Sequence, residues 1–150
     1  MKVGIDWGGT KIEGIVLEPS TGKELLRKRV DAPKDNYVEI INKVCELITD
    51  ISSKYNNFTV GIGMPGSLHP KTGQVQVSNT KALEGQNVKN DLEKKLGFDI
   101  RIANDADCLA VSESIDGSGM NYDSVFAVIL GTGVGAGYSF RKQLVVGPNK

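Results

Sequence analysis

The feature that most constrains this chain is the spacing of Tyr37, Ile40, Ile41, Val44, Leu47, Ile48 and Ile51. These residues recur three and four apart, which puts them on one face of a helix that must be buried. Asn36 opens that helix, with Glu39 three residues on, a variant of the capping box. Three strands precede it: Val3 to Asp6, Ile12 to Leu17 and Glu24 to Val30. Gly8-Gly9-Thr10-Lys11 and Pro19-Ser20-Thr21-Gly22 are the turns between them. Strands joined by such short turns form an antiparallel meander, and the helix is expected to cover it.

Beyond the helix, strands and helices alternate, which is the pattern of an α/β protein. Val60 to Met64 reads as a strand ending in Pro65-Gly66. Pro70 to Val77 reads as a small hairpin around Thr72-Gly73. Val88, Leu92 and Leu96 mark a second helix, stopped by Gly97. Ile100 to Ala103 is the next strand, and Asp105 to Ile115 the next helix, with Ala106 and Ala110 permitting close packing. Ser124 to Leu130 is an apolar strand. Val134 to Phe140 and Gln143 to Val146 form a hairpin turning at Arg141-Lys142. A glycine-rich loop and one hairpin after residue 119 do not make a domain. Residues 1–119 therefore read as one lobe and residues 120–150 as the incomplete start of a second, so the chain is expected to be a fragment.

Charge excludes some partners. Eighteen basic and eighteen acidic residues cancel, leaving no net field to attract nucleic acid or an anionic membrane. No signal peptide or long apolar segment is read at the N-terminus, so a cytoplasmic protein is expected. Cys45 and Cys108 both fall in helical patterns and read as two buried, unpaired thiols. His69 has no Cys or His cluster near it, so this chain alone builds no zinc site. The sequon Asn57-Phe58-Thr59 carries no meaning without secretion.

Four groups of residues carry potential chemistry. In Asp6-Trp7-Gly8-Gly9-Thr10-Lys11, the glycines let the backbone aim N–H groups at an anion. Asp6 could hold Mg²⁺ through water, and Thr10 and Lys11 add a hydroxyl and a cation. Gly131-Thr132-Gly133-Val134-Gly135 is a second candidate phosphate turn. Gly131, Gly133 and Ala136 also fit a dinucleotide-binding spacing, but that needs a following helix, and Val134 to Phe140 has no helical period. Asn104-Asp105 stands where a strand passes into a helix, a place where ligands bind in open α/β folds. Gly66, after Gly61-Ile62-Gly63-Met64-Pro65, and Asn79 could bind sugar hydroxyls. Taken singly, these groups read as a plain hairpin, a plain turn, a helix cap and a strand end with a loop asparagine.

Their order and spacing change that. Two glycine turns flanking a strand-end aspartate resemble the actin–hexokinase superfamily, and specifically the ROK family of sugar kinases and repressors. The segments 6–11, 61–66, 104–108 and 130–135 carry the resemblance. Within the family, Gly66-Ser67, Thr72-Gly73, Leu83-Glu84-Gly85-Gln86 and residues 104–117 look most like bacterial fructokinases of the mannofructokinase type, with N-acetylglucosamine kinases as near neighbours.

The resemblance implies a ribonuclease-H-like fold, a mixed sheet with an antiparallel meander plus helices, with ATP between two lobes and sugar beneath the first. Asp105 matches the catalytic base. Gly66, Asn79, Asn104 and Asp105 match the sugar side. Gly8, Gly9, Thr10, Lys11, Gly131, Thr132, Gly133, Val134 and Gly135 match the ATP phosphate loops, and Asp6 matches the Mg²⁺ site. The implied reaction is ATP-dependent phosphorylation of a hexose, fructose to fructose 6-phosphate first, with N-acetylglucosamine or another hexose as the alternative.

The family continues past the Gly-x-Asn of Gly147 to Asn149 into a Gly-Glu-x-Gly-His segment and a Cys-rich motif holding structural Zn²⁺. These lie outside this chain, and Lys150 stands where the family usually has glycine. The isolated chain is expected to be inactive, and the full-length parent to be a homodimer. A sugar-sensing ROK repressor would carry a helix-turn-helix ahead of this domain, and with Met1 five residues from Asp6 none is expected. An actin-like assembly or chaperone ATPase would not need the Asn104-Asp105 pair with the Pro65-Gly66 loop.

Overall fold

A computed structural model describes residues 1–131 and 133–147. The meander forms as expected: β1 (Lys2–Trp7), β2 (Lys11–Leu17) and β3 (Glu24–Asp31). The helix α1 (Tyr37–Ser52) follows, and Asn36 caps it by accepting from the N–H groups of Val38 and Glu39 at 2.9 and 3.2 Å. Next come β4 (Thr59–Met64), β5 (Ser67–Leu68), β6 (Val75–Val77), a 3-10 turn at Lys81–Leu83, α2 (Val88–Leu96), β7 (Ile100–Asn104) and α3 (Asp105–Ile115). The described chain ends with β8 (Ser124–Leu130), β9 (Val134–Phe140) and β10 (Gln143–Leu144).

The main sheet has the order β3-β2-β1-β4-β7. The meander strands pair antiparallel, whereas β1, β4 and β7 run parallel. Alternation along each strand separates two faces. Val3, Ile5, Trp7, Ile12, Val16, Val60, Ile62 and Met64 turn to one face and are buried against Ile40, Ile41, Val44, Leu47, Ile48 and Ile51 of α1. Each fully buried aliphatic side chain contributes about 1.5–3 kcal/mol, so this layer is the main source of stability. α1 comes so close to β2 that a Cβ on Gly14 would lie 2.8 Å from Ile51 Cδ1. The other face carries the small residues Gly4, Gly61, Gly63 and Ala103 together with Asp6, its register partner Glu13, Ile15 and Arg101.

Two hairpins differ from expectation. The first pairs Ser67–Leu68 with Val75–Val77 rather than starting at Pro70. Pro70 has no N–H to give a ladder, and His69 Nδ1 accepts from the N–H groups of Lys71 and Thr72, both at 3.2 Å, closing the turn earlier. The last hairpin turns at Arg141-Lys142 as expected, with φ of 50° and 65°, the left-handed pair that suits a two-residue hairpin. Its second strand stops at Leu144 rather than Val146. Gly97 ends α2 with φ 78°. Among the described residues, no helix is long and apolar enough to cross a membrane.

The three-stranded sheet β10-β9-β8 is separate from the main sheet and packs on α3. Ala106 and Ala110 are fully buried there. A Cβ on Gly137 would run into the carbonyl of Ala106, so only glycine permits that approach. Ser139 Oγ donates to Ser114 Oγ at 3.0 Å inside the same contact.

Candidate active-site cleft

β1, β3, β4 and β7 all point their carboxyl ends the same way, since β3 is antiparallel to β2 and β2 to β1. Ligands in open α/β sheets gather beyond such ends. The segments that follow these strands meet in one cleft of about 1650 Å³, lined by Asp6, Gly8, Gly9, Thr10, Lys34, Asp35, Pro65, Gly66, Asn79, Asn104, Asp105, Gly131, Gly133, Val134 and Gly135 among others. A single small-molecule pocket spans roughly 300–1,000 Å³, so this one has room for two ligands side by side. Thr132 lies outside the described residues, as do residues 148–150 and with them Pro148, Asn149 and Lys150.

The strand-to-helix junction divides its work between two neighbours. Asn104 Oδ1 accepts from the N–H groups of Ala106 and Asp107 at 3.0 and 3.2 Å and caps α3. Its Nδ2 donates to the Gly66 carbonyl at 3.0 Å. Asp105 touches the cap only through Oδ1, which accepts from the Ala106 N–H at 2.8 Å. The helix cap is thus chiefly Asn104, and the carboxylate of Asp105 faces the cleft from the first turn of α3.

Asp6 stands opposite Glu13 on β2 and Gly63 on β4. It is exposed to the cleft, yet its carboxyl is raised above the ordinary value, first by burial and then by the charges of Asp105 and Glu13, with Arg29 pulling the other way. Burial also pushes Glu13 up, but hydrogen bonds from Arg27 and Arg29 outweigh it and hold that carboxylate below its usual range. Asp6 and Asp105 therefore feel each other across the cleft. Among the described residues, no three His, Cys, Asp or Glu side chains converge on a metal position. Two mutually repelling carboxylates fit Mg²⁺, which takes one or two carboxylates and fills its shell with water and phosphate oxygens.

The sugar-side loops are braced from behind. Ser78, 3% exposed, donates from Oγ to the Pro65 carbonyl at 3.1 Å and accepts from the Thr80 N–H at 3.1 Å. Glu84 Oε1 accepts from the Ser78 N–H at 3.2 Å. This holds Asn79 at the cleft wall, where a Cβ on Gly133 would lie 2.5 Å from Asn79 Nδ2. Gly66 has φ 105°, and a Cβ there would clash with the Val77 carbonyl. Ser78, a lone serine between two loops, carries no sequence signal of this role. The second glycine turn closes with the Gly131 N–H donating to the Gly133 carbonyl at 2.9 Å, and the strand that follows is β9, which leaves no helix for a dinucleotide.

Lys11 pairs with Asp31, its register partner on β3. One expectation needs correction: Cys108 is not a buried thiol. The α3 helix leaves it exposed in the cleft wall, where a Cβ on Gly63 would lie 3.5 Å from its Sγ, and Cys45 is half-buried.

A mixed sheet with helices on both faces, and a cleft between glycine turns at its carboxyl ends, define an α/β lobe of the ribonuclease-H-like, actin–hexokinase kind. The chain belongs to the ROK family, which it matches over residues 2–149. It is 38% identical over 145 residues to an N-acetyl-D-glucosamine kinase of Pasteurella multocida, covering 96% of this chain and 47% of the relative. An N-acetyl-D-glucosamine kinase of Escherichia coli O139:H28 is 38% identical over 149 residues, 98% of this chain and 48% of the relative. The chain thus spans about half the length of the curated relatives it matches. Among solved structures, a ROK family glucokinase from Streptomyces griseus in complex with glucose and AMPPNP superimposes with a TM-score of 0.87 at 29% identity, covering 97% of this chain and 46% of that one. An inorganic polyphosphate/ATP-glucomannokinase from Arthrobacter sp. strain KM gives 0.86 at 28% identity, over 98% and 61%. The two curated relatives are N-acetylglucosamine kinases rather than fructokinases, so they lend fructose no support.

Proposed function

We propose that this chain supplies the N-terminal half of an ATP-dependent hexose kinase whose first substrate is N-acetylglucosamine. The observation that carries the reading is the meeting of Asp105, Asp6 and both glycine turns in one cleft at the carboxyl ends of the strands. The choice of sugar rests on the relatives at 38% identity. Residues 1–119 form the sugar-side lobe, and residues 120–150 begin the lobe that completes the nucleotide site.

Asp105 accepts the proton of the attacking sugar hydroxyl, oxygen 6. Gly66, Asn79 and Asn104 orient the ring; Asn104 has one amide hydrogen left after its bond to Gly66. Backbone N–H groups at Gly9, Thr10 and Gly133 donate to phosphate oxygens. Asp6 would hold Mg²⁺, which would supply neutralising charge for the transferring phosphoryl group. Phosphoryl transfer has a loose transition state, so positioning and electrostatics supply most of the acceleration and the base adds the rest.

The test is a panel on the full-length kinase: N-acetylglucosamine, glucose, mannose and fructose, each with ATP and Mg²⁺. The expected outcome is the highest kcat/KM with N-acetylglucosamine. Preference for fructose would restore the mannofructokinase reading of residues 83–86. No turnover with any sugar would sink the kinase assignment.

A further inference from the structure

A cation would complement the backbone N–H groups of the first glycine turn, and Lys11 is paired with Asp31. Three other cations line the cleft: Lys34, Lys81 and Arg101. Lys81 is paired with Glu84 at 2.8 Å. Among the described residues, neither Lys34 nor Arg101 is held in such an ion pair. Their positions separate them. Arg101 stands opposite Gly61, two residues behind the row of Asp6, Gly63 and Ala103, about 6–7 Å back along the strands. Lys34 follows β3 and so emerges at the same end of the sheet as Asp6 and Gly8.

Its backbone is pinned on both sides. The Ala32 N–H donates to the Thr10 carbonyl at 3.0 Å, which ties the segment to the glycine turn itself. Two residues after Lys34, Asn36 is fixed as the cap of α1. Asp35 also lines the cleft, so without Lys34 the segment would present only negative charge to an anion. A lysine ammonium is a point charge that binds phosphate without demanding planar geometry, which suits a partner beside backbone N–H groups.

We propose that Lys34, and not Lys11, is the cation that binds a phosphoryl group at the first glycine turn. This rests on the kinase reading above and adds a residue to it. The phosphoryl group belongs either to the nucleotide or to the hexose phosphate product. Calorimetry on the full-length kinase separates the sources, with ADP, adenosine and hexose 6-phosphate titrated into wild type, Lys34→Met, Lys34→Arg and Lys11→Met, and circular dichroism checking each fold. Lys34→Met is expected to weaken ADP binding tenfold or more and leave adenosine binding unchanged, with Lys34→Arg recovering most of the loss. A tenfold loss confined to hexose 6-phosphate also supports the cation and moves it to the product. Both phosphate ligands binding Lys34→Met within twofold of wild type would overturn the proposal, as would a loss carried by Lys11→Met alone. A wild type that binds no nucleotide and phosphorylates no hexose overturns the kinase reading instead.

Discussion

Asn104 joins two loops of the cleft with one side chain: its Nδ2 donates to the carbonyl of Gly66 at 3.0 Å while its Oδ1 caps α3. The bond crosses from β7 to the loop after β4, neighbouring parallel strands. It fixes the sugar-side loop relative to the helix that carries Asp105.

Asn104→Ala loses both functions. Loss of an N-cap costs about 1 kcal/mol, and the orphaned Gly66 carbonyl adds about 1 kcal/mol more. Asn104→Asp keeps the cap but has no donor for Gly66. Urea denaturation should therefore rank wild type above Asn104→Asp and Asn104→Asp above Asn104→Ala. Equal stability of wild type and Asn104→Asp would show that the Gly66 bond adds nothing.

Asp105→Asn leaves the Ala106 N–H its acceptor, so stability should stay within about 0.5 kcal/mol of wild type. Turnover of the full-length kinase should fall by about 100-fold or more, the usual scale for a lost general base, with nucleotide affinity intact. Turnover within tenfold of wild type would remove Asp105 from the base's role. A melting point several degrees lower would make capping its main role.

The elements were legible because their signals are local. The seven apolar positions of α1, the cap at Asn36 and the stop at Gly97 each act within a few residues. Ala106 and Ala110 also told truly, since small residues on a helix mark a close neighbour; the sequence could not say that the neighbour is Gly137 of β9. The cleft was legible only in part. Asn104 and Asp105 are adjacent and both cap well, so spacing alone could not assign the cap to one and the free carboxylate to the other. Lys11 follows two glycines and looks like a phosphate ligand, but β2–β3 pairing sets it opposite Asp31, a contact twenty residues away in sequence. Lys34 and Ser78 enter the cleft through tertiary placement that leaves no short-range pattern.

Asp6 makes stability depend on pH. Its carboxyl is raised in the fold, by burial first and then by Asp105 and Glu13. The folded chain therefore holds that proton more tightly than the unfolded chain, and stability is lost as pH rises from the ordinary value of 3.8 through the folded value. Asp6→Asn removes that loss. The variant should melt above wild type at pH 7, and the difference should vanish at about pH 3, where both side chains are neutral. A variant no more stable at pH 7 than wild type would mean that the carboxylate is compensated in the cleft.

Cys108 offers a probe of the same charges. Its thiol is pushed up by burial, then by Asp105 and Asp6. Cys45 is also raised by burial, with Lys95 and Glu46 as its charged neighbours, so it serves as an internal reference. The thiolate is the reactive form, so a disulfide reagent should label Cys108 slowly at pH 8 and faster as pH climbs past the ordinary thiol value of 9.0. Asp105→Asn removes one repelling charge, which lowers the thiol's pKa and should speed labelling of Cys108 at fixed pH while Cys45 keeps its rate. Peptide mapping after timed quenching gives the two rates separately. Unchanged labelling of Cys108 in Asp105→Asn would show that the carboxylate and the thiol do not share the cleft wall in solution.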